Sequence, residues 1–330
     1  MARNVSSESR PPHALDPVSR VFRKHPANPV IHPGMMPEPC LWTFNPGAIK
    51  HDGEYLVLMD AATLTTNYVI WIARSRDGVH FTPDPAPLDW PAPSDNHPET
   101  CVYDPRITYI DGEYILLFAS QSEEFGVRIG MVKTKDFVRF ERLPAASEQG
   151  NRNGVLFPEK IGGLYCRFDR PFGDPHADPA GIWISYSPDL LHWGQSKPVM
   201  MPRSGGWWDN FKIGGGAVPI RTDKGWLNLY HGTTKTCSGI LYFLGVALHD
   251  LEDPSKVIAR SEDAVLWPEH HYEQNGRVPN VVFTCNAILE EDETVKIYYG
   301  AADTNIGLAE AKLGDLIDAC FAKNKLRLNP

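Results

Sequence analysis

Long apolar runs and an excess of positive charge are both missing from this sequence of 330 residues. No apolar run approaches the roughly 18 residues that a membrane-spanning helix needs, and the first residues lack the hydrophobic core of a signal peptide. The formal net charge is −9, whereas nucleic acids and anionic membranes bind basic surfaces. We therefore expect a cytoplasmic protein whose partners include neither a nucleic acid nor a membrane.

Cysteines are few and far apart. The six cysteines form no C-x-x-C pair, which argues against a disulfide framework or a zinc site and fits a reducing cytoplasm. His270 and His271 are adjacent but have no carboxylate at ligand spacing, so we predict no metal and no other cofactor. The cysteines are Cys40, Cys101, Cys166, Cys237, Cys285 and Cys320.

Proline and glycine, in contrast, are abundant, at 29 and 27 residues, and apolar residues make up 42% of the chain. This composition suits short strands and turns around a large core better than helices. Only residues 313–322 show helical apolar spacing, which predicts a short C-terminal helix. Residues 1–20 are polar and contain proline, so we expect a loose N-terminal extension that could contact another subunit of a homo-oligomer.

A repeat of short strands dominates the sequence. An aromatic-centred strand recurs around Tyr55, Tyr114, Tyr165 and Trp226, at intervals of 51 to 61 residues, and residues 294–299 form a degenerate fifth copy. A second apolar strand and an acidic turn follow each copy. Such a repeat of small sheets is typical of a β-propeller. We predict an all-β fold, a five-bladed β-propeller, that forms one catalytic domain over residues 21–330.

A short first strand is predicted ahead of each aromatic strand, because a turn rich in glycine, aspartate and proline precedes it. In a propeller the inner ends of equivalent strands surround one axis, so side chains at matched positions of the repeat are expected to meet there. The five predicted first strands are residues 46–49, 105–108, 157–161, 216–220 and 286–289.

The matched positions of the repeat carry an unusual number of cations. Two arginines, a lysine and a histidine stand there beside only two or three carboxylates, although the whole protein is acidic. Such a cluster suits an oxyanion, and arginine supplies planar donors that match phosphate oxygens. The residues at these positions are Asn45, Asp60, Asp104, Ala119, Arg152, Asn153, Arg170, Lys212, His231, Phe283 and Asp303.

Each of these residues also has a simpler structural interpretation. Asp104 precedes a proline and is a common turn former. Arg170 suits a weak surface ion pair with Asp169, and a lone histidine such as His231 is more often structural than catalytic. The glycines after Lys212 resemble a phosphate loop, but the spacing of a nucleotide-binding loop is missing. The shared position in the repeat is what favours a functional site.

Five segments of the chain resemble glycoside hydrolase family 130, which comprises phosphate-dependent β-mannoside phosphorylases and some β-mannosidases. The similarity runs from about residue 45 to residue 318. It is greatest toward the 4-O-β-D-mannosyl-D-glucose phosphorylase branch at residues 278–281 and in the Asn-Arg-Asn-Gly loop. The segments are YDPRI (103–107), NRNGVLFP (151–158), KIGGG (212–216), YHG (230–232) and YGAADT (299–304).

The resemblance implies a role for each candidate, with Asp104 as the general acid. It implies that phosphate is held by Arg152, Arg170, Lys212, His231 and Tyr242; Asn153, beside Arg152, is grouped with them. It implies that Asn45, Tyr103 and Asp303 contact the mannosyl unit; Asp60 and Phe283 are grouped with these by their positions in the repeat. Family members often have an arginine near the position of Asp60, which this chain lacks.

The expected reaction is inverting phosphorolysis of a β-1,4-mannosyl disaccharide, in the first place mannosyl-glucose, to α-mannose 1-phosphate and a free sugar. Inorganic phosphate is the co-substrate. An inverting hydrolase needs one carboxyl group as acid and another as base to activate water. Phosphate is already an anionic nucleophile, so one acid and a cationic pocket suffice. The resemblance further implies that the proton of Asp104 travels through the mannose 3-hydroxyl.

Other functions fit parts of the sequence. A β-mannosidase that uses water would favour carboxylates where the cations stand. Phosphorolysis of mannooligosaccharides or of mannosyl-N-acetylglucosamine differs only in the leaving sugar. A non-catalytic glycan-binding propeller is a remote alternative, since a fold alone does not determine function. An arabinan-type five-bladed hydrolase needs a third channel carboxylate, for which Glu159 is the candidate.

Overall fold

The computed structural model describes residues 21–64, 68–89, 91–95, 97–172 and 180–323. Within them the chain forms five antiparallel sheets of four or five strands. The predicted N-terminal extension, residues 1–20, lies outside the described residues. None of the helices in the described part of the chain is long and apolar enough to cross a membrane.

The first strand, β1 (Arg23–Lys24), belongs to the last sheet, and the next strands build blades one to three in chain order. Blade one contains β2 (Cys40–His51), β3 (Glu54–Thr63), β4 (Val69–Ser75) and β5 (Thr82–Pro83). Blade two contains β6 (Cys101–Ile110), β7 (Glu113–Ser122), β8 (Gly126–Thr134) and β9 (Phe140–Leu143). Blade three contains β10 (Asn151–Leu156), β11 (Tyr165–Pro171), β12 (Ile182–Ser187) and β13 (Gly194–Met200).

The last two blades have a divided innermost strand. Blade four contains β14 (Lys212–Gly215), β15 (Ile220–Thr222), β16 (Gly225–Thr236), β17 (Gly239–His249) and β18 (Val257–Arg260). Blade five contains β19 (Val282–Phe283), β20 (Ile288–Leu289), β21 (Thr294–Ala301), β22 (Asn305–Lys312) and the early strand β1. The helices are a 3₁₀ turn (Pro33–Met35), α1 (His271–Gln274) and α2 (Leu313–Phe321).

The hydrophobic core lies between the blades. Strand β3 is buried along nearly its whole length, because each face of a blade is covered by a neighbouring sheet. Leu56 and Leu58 of blade one, for example, pack in one cluster with Leu116 and Phe118 of blade two. Central strands covered on both faces are expected to be almost continuously apolar, as the aromatic strands of the repeat are. The predicted five-bladed β-propeller is confirmed, and so is the C-terminal helix.

Three of the predicted first strands are placed wrongly. Blade three begins at Asn151, ahead of the predicted residues 157–161, where Pro158 has no N–H group to donate to a sheet. In blade four the predicted residues 216–220 fall mainly in the gap between β14 and β15, which contains Pro219. In blade five the prediction of 286–289 overlaps only β20. The earlier start of blade three moves Arg152 and Asn153 onto a strand that lines the axis.

Candidate active site

The first three blades share a bulge at the inner end of their first strand. The strand register shifts between Phe44 and Gly47, between Tyr103 and Arg106, and between Arg152 and Val155. Each shift contains one residue in the left-handed region of backbone space: Asn45 (φ 44°), Asp104 (φ 59°) and Asn153 (φ 56°). Asparagine and aspartate tolerate this conformation better than other side chains do. A bulge re-aims side chains, and here it directs three predicted site residues to the axis.

A cavity of about 270 Å³ lies where the inner strand ends meet. Ten of the twelve predicted site residues line it, and Asp60 and Lys212 do not. Distant parts of the chain therefore converge around one axial cavity, as the repeat predicted. The ten residues are Asn45, Tyr103, Asp104, Arg152, Asn153, Arg170, His231, Tyr242, Phe283 and Asp303.

Asp104 is fixed by contacts to both its backbone and its side chain. Asn45 Nδ2 donates to Asp104 Oδ1 at 2.8 Å. The backbone N–H of Asp104 donates to the carboxylate of Asp60, at 3.0 and 3.1 Å from its two oxygens. The buried Arg106 donates through Nη1 to the Asp104 carbonyl at 3.0 Å, and through Nε and Nη2 to the carbonyls of Gly216 and Gly215. These contacts hold the carboxyl group of Asp104 in the cavity.

Two further carboxyl groups lie near Asp104. Asp60 is fully buried beneath it, and burial together with the charge of Asp104 raises the pKa of Asp60 well above its ordinary value. Asp303 is in the wall of the cavity. Burial and Asp104 raise the pKa of Asp303 to about 7. Asp60 therefore supports the backbone of Asp104. Asp60 was predicted to contact a sugar, but it is not among the residues that line the cavity.

Blade three presents two arginines to the cavity side by side. Arg152 and Arg170 are directly opposite each other in the pairing of β10 with β11, an arrangement of like charges that destabilises a sheet. The carboxylate of Asp169 pairs with Arg167 instead of Arg170, and no described carboxylate pairs with either cavity arginine. The Nε atoms of both arginines are buried without a hydrogen-bond partner among the described residues. Such donors would be satisfied by a bound oxyanion.

His231 lies beside Arg170 on the same side of the cavity, and its ring is neutral. Arg170 Nη1 lies 3.1 Å from His231 Nε2. Because a guanidinium group only donates, Nε2 accepts this bond and the ring hydrogen is on Nδ1. Burial and the charge of Arg170 lower the pKa of His231 well below its ordinary value, which agrees with a neutral ring.

Lys212 lies just outside the cavity wall. Its Nζ atom is 5.8 Å from the ring centre of Tyr242, and burial, Arg170 and Arg152 lower the pKa of Lys212 to about 8. Tyr242 in turn lies within the electrostatic reach of Arg170, Asp303, Arg152 and Asp104. Asp104 and the two arginines therefore face one small space, with Lys212 behind it.

Several cavity residues were not predicted from the sequence. Tyr68 and Gln121 belong to blades one and two, and Arg277 belongs to the loop before β19. Arg277 lies outside the strands that form the repeat, so the repeat offered no signal for it. Glu159, the carboxylate that an arabinan-type hydrolase needs, instead forms an exposed ion pair with Arg221 at 3.3 Å.

The chain matches glycoside hydrolase family 130, described as β-1,4-mannooligosaccharide phosphorylase, over residues 8–322. The chain belongs to this family. The resemblance expected from the five sequence segments is thus confirmed, and the family consists of β-mannoside phosphorylases and related enzymes.

Relatives within the family differ in the linkage that their names specify. A β-1,4-mannooligosaccharide phosphorylase of Ruminococcus albus is 31% identical, over 96% of this chain and 94% of the relative. A 4-O-β-D-mannosyl-D-glucose phosphorylase of Bacteroides fragilis is 32% identical, over 91% of this chain and 81% of the relative. A β-1,2-mannobiose phosphorylase of Listeria innocua is 40% identical, over 77% of this chain and 69% of the relative.

A solved structure supports the same relationship. The complex of a β-1,2-mannobiose phosphorylase from Listeria innocua with β-1,2-mannobiose superposes with a TM-score of 0.84. The alignment has 31% identity and covers 92% of this chain and 99% of the other. The family is therefore established for this chain.

Proposed function

We propose that this protein catalyses the inverting phosphorolysis of a β-mannosyl disaccharide to α-mannose 1-phosphate and a free sugar. The observation that carries the proposal is the unpaired cationic wall of Arg152 and Arg170 across one small cavity from Asp104. Two adjacent arginines without a carboxylate partner among the described residues create a site that an oxyanion stabilises. Inorganic phosphate is the oxyanion that fits, because the matched family and its relatives are phosphorylases.

The proposed reaction needs one acid and no protein base. A phosphate oxygen attacks C1 of the mannosyl unit while the bond between C1 and the oxygen of the leaving sugar breaks. Asp104 supplies the proton that the leaving oxygen acquires, by way of the mannose 3-hydroxyl, and regains a proton from solvent before the next turnover. Asn45, Tyr103 and Asp303 are proposed to hold the mannosyl unit, and Arg152, Asn153, Arg170, His231, Lys212 and Tyr242 to hold phosphate.

Hydrolysis by water is the competing reaction. It requires a second carboxylate that activates water on the face of the sugar opposite the acid. Apart from Asp104, the carboxylate among the described cavity residues is Asp303, and Arg152 and Arg170 occupy the wall that would face the nucleophile. This arrangement favours phosphate over water.

Two linkages are candidates for the scissile bond. The relatives that act on β-1,4-mannooligosaccharides and on mannosyl-glucose favour a β-1,4-linked substrate, with mannosyl-glucose as our first choice. The relative with 40% identity and the superposed structure favour β-1,2-mannobiose as the second. Both substrates present a β-mannosyl unit to the same cavity, so the difference lies in the leaving sugar.

The deciding experiment measures mannose 1-phosphate release from β-1,4-mannosyl-glucose and from β-1,2-mannobiose, with and without inorganic phosphate. We expect release that depends on phosphate, with an α-anomeric product by NMR. Equal release of free sugar in both conditions would reject phosphorolysis and favour a β-mannosidase.

Substitution of the acid separates an enzyme from a glycan-binding propeller. We expect Asp104→Asn to lower kcat by about 10²-fold or more, as is usual for loss of a general acid, while disaccharide binding measured by calorimetry survives. A wild-type protein that binds the disaccharide but never turns it over would support the non-catalytic alternative.

A further inference from the structure

The cavity has a side that faces away from Arg152 and Arg170. Consecutive blades are neighbours, and blade five packs against blade one, so blade one faces the junction of blades three and four across the axis. Arg152, Arg170 and His231 belong to blades three and four. Tyr68 of blade one, Gln121 of blade two and Arg277 of the loop before β19 line the cavity elsewhere. Gln121 lies on β7, which packs against the β10 strand of Arg152. Tyr68 and Arg277 contact each other on the blade-one side, and we call these two residues the distal rim.

In-line displacement gives the distal rim a function. In an inverting reaction the nucleophile and the leaving group lie on opposite sides of the anomeric carbon. With phosphate bound beside Arg152 and Arg170, the leaving sugar must extend toward the opposite side of the cavity. That side is the distal rim, so its polar groups are in position to contact the leaving sugar.

Arg277 is held on this rim by aromatic rings. Its guanidinium carbon lies 4.6 Å from the ring centre of Tyr68, 4.8 Å from that of Trp42 and 5.6 Å from that of Phe44. Its backbone N–H donates to Thr304 Oγ1 at 2.9 Å. Guanidinium groups stack on aromatic faces in this way without using their N–H donors. The stacking therefore orients the group and leaves its donors available.

The donors of Arg277 have no protein acceptor among the described residues. The hydrogen bond to Thr304 comes from its backbone, and no described carboxylate lies within ion-pair distance of its side chain. Asp303 is nevertheless near enough for the charge of Arg277 to act on it. Because Asp303 and Asp104 offset this charge, the rim favours a neutral sugar with hydroxyl groups over an acidic one.

We propose that Arg277 is the specificity-determining residue for the leaving sugar, and that its guanidinium donates hydrogen bonds to two neighbouring hydroxyl groups of a neutral hexose. The inference rests on the proposed function, because it requires phosphate to bind beside Arg152 and Arg170. Arg277 also places an arginine at the cavity in a chain whose sequence has no arginine in the segment around Asp60, residues 58–62.

The test is run in the synthetic direction, with α-mannose 1-phosphate as donor and glucose, mannose, N-acetylglucosamine or glucuronic acid as acceptor. We expect Arg277→Ala to lower kcat/KM for the preferred acceptor about tenfold or more, as is typical for loss of a charged hydrogen-bond donor. The effect should fall mainly on the KM of the acceptor, with the KM of mannose 1-phosphate unchanged. Arg277→Lys should not restore it, because an ammonium group lacks the planar pair of donors.

Deoxy acceptors identify the hydroxyl groups involved. A deoxyglucose that lacks a contacted hydroxyl should be a poor acceptor for the wild-type protein and should show no additional loss with Arg277→Ala. Independent losses in that pair of measurements would overturn the proposal. Arg76→Ala is the matched control, because Arg76 is an exposed arginine of the same propeller whose side-chain partner is Glu54, and it should leave all acceptors unaffected.

Failure of this inference is distinguishable from failure of the proposed function. A wild-type protein that makes no disaccharide from mannose 1-phosphate would reject the function itself. An active wild-type protein with the same acceptor preference after Arg277→Ala would reject only the role of Arg277. A raised KM for phosphate in that variant, or a wild-type preference for glucuronic acid, would also overturn it.

Discussion

Lys212 differs from the two arginines beside it because its charge depends on pH. Burial, Arg170 and Arg152 lower the pKa of Lys212 to about 8, so the side chain is protonated below that pH and neutral above it. If Lys212 contributes to the phosphate pocket, the pocket loses a positive charge as the pH rises through 8. The arginines keep their charges throughout this range.

We expect the KM for phosphate to rise above a pH of about 8, where phosphate itself remains a dianion. Lys212→Arg should move this rise to higher pH, and Lys212→Met should remove it and weaken phosphate binding at neutral pH. Initial rates of phosphorolysis between pH 7.5 and 9.5 would measure this rise in KM, which should correspond to the loss of one positive charge. Lys235→Met, at an exposed lysine next to Phe211, is the control. An unchanged pH profile in Lys212→Met would assign the rise to another group.

At the residue scale, position in the repeat predicted which residues lie near the axis, but it did not predict how far each side chain is from the cavity. It predicted that Asp104, Arg152, Arg170 and His231 meet, because matched strand ends surround one axis. It grouped Asp60 with the sugar-binding residues, whereas Asp60 lies one layer below, where it accepts the N–H of Asp104. Sequence spacing specifies which end of a strand a residue occupies, but packing decides how far its side chain is from the cavity.

At the scale of single elements, strand β14 shows how closely two strands approach at the axis. Gly214 is paired with His231 of β16. A Cβ atom at Gly214 would lie 2.5 Å from His231 Cε1 and 3.2 Å from Arg170 Nη1. The glycines after Lys212 are therefore needed for close packing beside the cationic wall, and a side chain there must displace His231, Arg170 or both.

We expect Gly214→Ala to raise the KM for phosphate at least several-fold and to destabilise the protein by about 1–3 kcal/mol, the usual cost of overpacking. Phosphorolysis kinetics and chemical unfolding would measure the two effects. Gly194→Ala is the control, since a Cβ atom at Gly194 would meet no atom within 4 Å. A Gly214→Ala protein with the wild-type KM would show that neither His231 nor Arg170 needs its present position to bind phosphate.

Element boundaries near the axis were the least predictable part of the fold. The second and third strands of the blades, such as β7 and β8, followed from the repeat of an aromatic-centred strand and a second apolar strand. The first strands of blades three to five did not. Pro158 and Pro219 fall within the predicted segments of blades three and four, and the innermost strand of blades four and five is divided. In blade three the bulge between Arg152 and Val155 breaks the alternation of period two on which strand prediction depends. The same irregularity directs Asn153 into the cavity.

At the scale of the whole molecule, an early segment of the chain completes the last sheet. Strand β1 pairs with β22, with Arg23 opposite Glu310 and Lys24 opposite Ala309. Lys24 Nζ donates to the carboxylate of Glu273 at 2.7 Å and to the Trp267 carbonyl at 2.8 Å. The repeat predicted five blades, but the contribution of residues 23–24 to blade five was not visible, since two residues carry no recognisable period.

Loss of the ion pair between Lys24 and Glu273 should affect stability more than catalysis. The side chains of Lys24 and Glu273 are 7% and 0% exposed, and removal of one partner of a buried ion pair typically costs about 3–5 kcal/mol. We expect Lys24→Met to lie near the lower end, because Tyr299 Oη and the backbone N–H groups of Glu269 and His270 still donate to Glu273. The free energy of unfolding in urea would measure the loss.

The phosphorylase rate of Lys24→Met at 25 °C should equal that of the wild-type protein, because residues 23–24 belong to the outer strand of blade five and do not line the cavity. Arg23→Met is the matched control: the Arg23 side chain is exposed, so its unfolding free energy should change by about 0.5 kcal/mol or less. Equal unfolding free energies for the two variants would mean that pairing of the β1 backbone closes the propeller without help from the buried ion pair. A lower rate with an intact unfolding transition would instead indicate that closure of blade five controls the geometry at Asp303 and the turn between β21 and β22.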